Sequence, residues 1–106
     1  NNWLISTPTD IEDDTKNVPE SFALMQNYPN PFNPSTQITF SLPERSNVTL
    51  KIYDILGKEI TTLVNESKSA GTYSVNFDAS KLSSGVYVYS IQAGDFLESR
   101  KMLLMK

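Results

Sequence analysis

Apolar residues recur at every second position over three stretches of the chain. Ile38, Phe40 and Leu42 alternate with Gln37, Thr39 and Ser41. Val48, Leu50 and Ile52 alternate with Thr49, Lys51 and Tyr53, and Tyr73, Val75 and Phe77 with Thr72, Ser74 and Asn76. A period of two puts one set of side chains on one face of an extended chain, so each stretch predicts a strand with one face buried. Residues 58–64 are less regular. Ile60 and Leu63 have a helix-like spacing, while Thr61, Thr62 and Val64 favour a strand through β-branching. The run from Val86 to Ile91 is apolar or aromatic on both faces, as expected of a strand in the middle of a sheet. The stretch from Phe96 to Met105 closes with Met102, Leu103, Leu104 and Met105, again apolar on both sides.

Turn signals separate these stretches: residues 43–47, 54–57, 65–71 and 78–85, and Gly94-Asp95. The last is a two-residue hairpin signal, because glycine tolerates the positive φ that primed turns require. About seven strands with a turn every ten residues or so predict an all-β fold, an immunoglobulin-like β-sandwich of about seven antiparallel strands.

One segment breaks the alternation. NYPNPFNPST, residues 27–36, holds three prolines and three asparagines in ten residues. Proline fixes φ and removes a backbone donor, and asparagine side chains bond nearby backbone to form turns. The segment therefore predicts a stiff, non-repetitive lead-in that presents Tyr28 and Phe32, either as plugs for one end of the sandwich or as a contact surface. The nineteen residues at the start read instead as a linker or the tail of a missing upstream domain, with residues 20–106 as the folded unit. Trp3, Leu4 and Ile5 are the apolar exception there. The chain opens on Asn rather than Met, which suggests a fragment of a larger protein.

Composition narrows the chemistry. The chain has no cysteine and no histidine. That removes disulfides, thiolate nucleophiles, Ser–His pairs and the commonest metal ligand. The net charge of −3 resides in residues 1–17, and the remainder carries eight acids and eight bases. A neutral folded part lacks the basic face that nucleic acid demands, and no apolar run approaches the ~20 residues of a membrane-spanning helix. Asp54, Asp78 and Ser80 lie in turns where they could contribute to a weak calcium site, but no loop has densely alternating acids. Tyr53, Tyr87 and Tyr89 are candidates for a sugar-stacking platform. Arg100, Lys101 and Lys106 bracket the last apolar run, either blunting an edge strand or offering charge to a partner. No cofactor motif is present, and the residues alone point to a non-catalytic module.

Several of these stretches, in this order, resemble one family. YPNPFNPST at 28–36, IYDILG at 52–57, AGTYSVNFD at 70–78, LSSGVYVYSI at 82–91 and a short apolar strand closing on lysine are similar to the type A C-terminal sorting domain of the bacterial type IX secretion system. A more distant likeness to the immunoglobulin-like module of flagellar hook-capping proteins supports the sandwich. The resemblance implies an address carried by a cargo protein of Bacteroidetes-related bacteria. Such a cargo passes through the periplasm, is recognised by an outer-membrane translocon, and is commonly trimmed by a sortase-like peptidase before release or attachment at the cell surface. It also implies binding residues: Gly85 and Tyr87 in the SGVY stretch, and Lys101 and Lys106 flanking the final strand. A last strand apolar on both faces could further offer a sheet edge for strand addition to a receptor. The alternative is a non-catalytic accessory module that binds polysaccharide or the cell surface.

Overall fold

A computed structural model describes residues 18–106, so the leader, including Trp3–Ile5, lies outside the described residues. Seven strands follow one another: β1 (Ala23–Leu24), β2 (Ser35–Leu42), β3 (Ser46–Tyr53), β4 (Glu59–Lys68), β5 (Gly71–Asp78), β6 (Gly85–Ala93) and β7 (Phe96–Leu104). They form a three-stranded sheet in the order β1-β2-β5 and a four-stranded sheet in the order β4-β3-β6-β7, every pairing antiparallel. The architecture is an immunoglobulin-like β-sandwich, as the alternation predicts.

The inward set of each strand builds the core. Ile38, Phe40 and Leu42 of β2, with Leu24 and Phe77, meet Val48, Leu50 and Ile52 of β3, Tyr89 and Ile91 of β6, and Met102 and Leu104 of β7. Each fully buried aliphatic or aromatic side chain contributes about 1.5–3 kcal/mol relative to its exposed state. β6 lies between β3 and β7, the central place its composition predicts. Its outward residues Val86 and Val88 nevertheless remain partly exposed, because nothing among the described residues covers that face of the sheet. Gly94, with φ +60°, makes the hairpin between β6 and β7 that Gly94-Asp95 predicts.

β4 explains its own irregular pattern. Its pairing with β3 shifts register between Leu50 and Lys51 and again between Ile52 and Tyr53. Each shift leaves one extra residue on β4, first Leu63 and then Ile60, the geometry of a β-bulge. Bulged residues escape strict alternation, so Ile60, Leu63 and the adjacent Val64 all pack against the core. The three-residue spacing that resembles a helix is the signature of two bulges.

The proline-rich lead-in stitches the two sheets together. It first follows β2: the Met25 amide donates to the Thr39 carbonyl at 2.9 Å, and Tyr28 and Gln37 exchange both backbone bonds. It then crosses to β7, where the Phe32 amide donates to the Leu103 carbonyl and the Met105 amide donates to the Phe32 carbonyl, each at 3.0 Å. Asn30 Oδ1 accepts from the Leu103 amide at 3.0 Å, and Gln26 Nε2 donates to the Lys101 carbonyl at 2.8 Å. All three X–Pro bonds of the segment are cis.

Two expectations change here. Phe32 is buried with its ring 6.3 Å from that of Phe77 and does plug the sandwich, whereas Tyr28 is 81 % exposed. The reason is local, since Tyr28 sits on a backbone bridge to Gln37 and points away from the core. The terminal strand is also not an open edge over its apolar stretch. The margin of β7 turned away from β6 is closed from Lys101 to Met105 by residues 26–32, so strand addition there would require displacing the lead-in.

Candidate functional site

The end of the sandwich that holds the start of β6 and the finish of β7 gathers most of the residues of interest. Gly85 pairs with Leu104. Its φ of +154° falls where side-chain-bearing residues are strained, although a Cβ there would meet no atom within 4 Å. Its glycine therefore answers a backbone requirement rather than a crowded contact. Lys106 joins it: the Lys106 amide donates to Ser84 Oγ at 3.0 Å and its ammonium donates to the Ser80 carbonyl at 2.5 Å. The last residue is thus fastened to the loop between β5 and β6, with its side chain exposed.

Tyr87 lies two residues into the same strand and is only 8 % exposed. Its hydroxyl donates to the Ser83 carbonyl at 2.6 Å. A tyrosine at the start of this strand, bonded back to backbone a few residues upstream, is the tyrosine corner of immunoglobulin-like sandwiches. The edge of the ring floors a cleft bordered by Asp54, Lys58, Ile60, Lys81 and Leu82. Lys101 is separate. It pairs with Val88, and its exposed side chain projects from the outer face while Met102 and Leu104 point inward. Gly85, Lys106 and Tyr87 are brought to one end; Lys101 stands further along β7.

Tyr89 is fully buried. Its hydroxyl donates to the Met25 carbonyl at 2.6 Å and accepts from the Asn27 amide at 2.8 Å. Burial pushes its pKa up, partly offset by that bond from Asn27. With Tyr87 and Tyr89 both facing the core, Tyr53 alone of the three tyrosines points outward, so the sugar platform does not form. Asp54 Oδ1 accepts from the Leu56 and Lys58 amides, both at 2.9 Å, and Asp78 Oδ1 accepts from the Ser80 amide at 2.9 Å. Both carboxylates close local turns. Among the described residues no three acidic side chains lie close enough together to hold a metal.

Sequence reasoning missed three features. The first is buried Asn27, whose Nδ2 donates to the Pro29 carbonyl and to Thr36 Oγ1. The second is Arg100, which is less an edge charge than a strut: its Nε donates to the Leu24 carbonyl of β1 at 2.6 Å. The third is the β3–β4 turn, where Ile55 is 73 % and Leu56 89 % exposed. The first was recoverable, since an asparagine beside Pro-rich backbone invites such bonds; the others depend on tertiary placement.

No curated protein matches the chain. The family model described as the secretion system C-terminal sorting domain matches residues 26–105, from the lead-in through the end of β7 and its flanking Met105. The chain therefore belongs to the C-terminal sorting domain family of the type IX secretion system.

Proposed function

We propose that residues 20–106 act as the address by which an upstream cargo, joined through residues 1–19, is carried from the periplasm across the outer membrane. An outer-membrane translocon reads the folded domain, and a sortase-like peptidase then removes it at the acidic linker. The cargo ends at the cell surface or outside the cell. The family match over residues 26–105 carries this reading. The fold is compatible with it: among the described residues Asp54 and Asp78 close turns, and Glu59, Glu66 and Glu98 pair with nearby basic side chains. Lys101 and Lys106, exposed on β7 and at its end, supply charge that orients docking rather than most of its affinity. Gly85 shapes the end of the sandwich at which docking occurs.

The test is transplantation. The whole chain is fused behind a periplasmic reporter in a host that carries the secretion system. The reporter should move to the medium or cell surface with the chain and stay periplasmic without it. A reporter retained in the periplasm by a folded fusion would overturn the proposal.

A further inference from the structure

The motif IYDILG contains two of the most exposed large apolar side chains among the described residues, Ile55 and Leu56, at 73 % and 89 %. Neither stabilises the fold by burial. The turn that carries them is nonetheless held firmly. The Asp54 amide donates to the Lys58 carbonyl, the Gly57 amide donates to the Asp54 carbonyl, and the Asp54 carboxylate accepts from the Leu56 and Lys58 amides. A solvent-exposed aliphatic pair on a preset turn gains nothing from burial within the fold, and when it belongs to a larger exposed apolar patch it marks an interaction site.

Register places further apolar surface at the same end. Tyr53 pairs with Val88, so the turn lies beyond it, level with the start of β6; Leu104 at the end of β7 pairs with Gly85. Val86 and Met105 are exposed there too. The carboxylates at this end are engaged within the fold. Asp54 and Asp78 each accept from amides of their own turns, and Glu59 is paired with Lys51 at 3.2 Å. Lys58 and Lys81 are exposed and make no side-chain hydrogen bond or ion pair among the described residues, and Lys106 is exposed beside them.

We infer that the Ile55-Leu56 tip is the part of this domain that enters its receptor, and that the receptor presents a concave apolar pocket rimmed by carboxylates. The inference rests on the sorting function proposed above and names the surface through which it works. A protein pocket fits better than a lipid surface. Two aliphatic side chains anchor a membrane no better than a single marginal acyl chain does, and a fluid bilayer has no need of a turn fixed in advance. A shaped pocket rewards that fixity.

The experiment compares export of the reporter fusion carrying the intact chain, I55S/L56S, and L97S. Leu97 is also exposed, at 69 %, but lies near the opposite end of β7. The inference expects export of I55S/L56S to fall by at least about ten-fold, as for loss of a central apolar anchor. L97S should export as the intact chain does, and thermal unfolding of all three purified domains should coincide. Undiminished export of I55S/L56S, or an equal loss in L97S, overturns the inference and leaves the sorting function standing. Failure of the intact fusion to export removes both. Sedimentation with phosphatidylglycerol–phosphatidylethanolamine vesicles gives a further arm: binding by the intact chain that I55S/L56S loses would assign the tip to lipid and overturn the protein pocket.

Discussion

At the scale of single residues, the hydroxyl of Tyr89 holds more of the fold than its position on a regular strand suggests. It satisfies both the Met25 carbonyl and the Asn27 amide inside the sandwich. Tyr89→Phe keeps the ring but takes the partner from the buried Asn27 amide, a cost of about 1–3 kcal/mol, and from the part-buried Met25 carbonyl, where water can compensate in part. Chemical denaturation should show the midpoint lowered and the slope unchanged; an unshifted midpoint would mean that water replaces the hydroxyl. The same group sets a pH dependence. Burial raises its pKa in the folded state, so folding favours the neutral phenol. The resulting stabilisation is complete below the unfolded value of about 10 and is lost as pH rises through the folded value. The thermal midpoint should therefore fall on the alkaline side, and part of that fall should vanish in Tyr89→Phe.

At the scale of elements, what the sequence made legible follows from how local each cause is. β2, β3 and β5 read directly because their alternation is the pleat itself. β4 was blurred because bulges at Ile60 and Leu63 spoil the period, and bulges depend on the partner strand. β1, only two residues long, has no period to read and exists because β2 offers it an edge. The site was less legible than the fold. Gly85 and Tyr87 stood out in the SGVY stretch, but nothing local tells a corner tyrosine from a contact tyrosine. The exposure of Leu56 likewise depends on which way a turn faces. The lead-in gives the sharpest element-level prediction. Phe32 fills the end of the core, and Phe32→Ala should cost about 3–5 kcal/mol by the scale of such truncations. Calorimetry should show a large drop in midpoint; a drop of only a degree or two would mean that the lead-in is fastened by its hydrogen bonds alone. Deleting residues 102–106 would be a poor probe of recognition for the same reason, since Met102 and Leu104 are core.

At the scale of the whole molecule, the sandwich is closed on one side and open on the other. Residues 23–32 bond to β2 in one sheet and to β7 in the other, sealing that flank. On the opposite flank β4 and β5 are both edge strands, joined by the short turn at Ser69-Ala70 and by the Lys68 ammonium lying 4.7 Å from the centre of the Tyr73 ring. The apolar finish of β7, which from composition alone looks like an exposed handle, is therefore among the better protected parts of the chain, and the exposed apolar feature at that end is the Ile55-Leu56 turn. Hydrogen exchange distinguishes these arrangements directly. The Leu103 and Met105 amides, which donate to Asn30 Oδ1 and the Phe32 carbonyl, should exchange orders of magnitude more slowly than the outward amides of β4, whose margin faces solvent. Asn30→Ala should release Leu103 while leaving Met105 protected, because the second bond is made by backbone. Leu103 and Met105 amides that exchange as fast as the β4 margin in the unaltered chain would mean that the lead-in lifts freely from β7. The final strand would then be open to a partner strand after all.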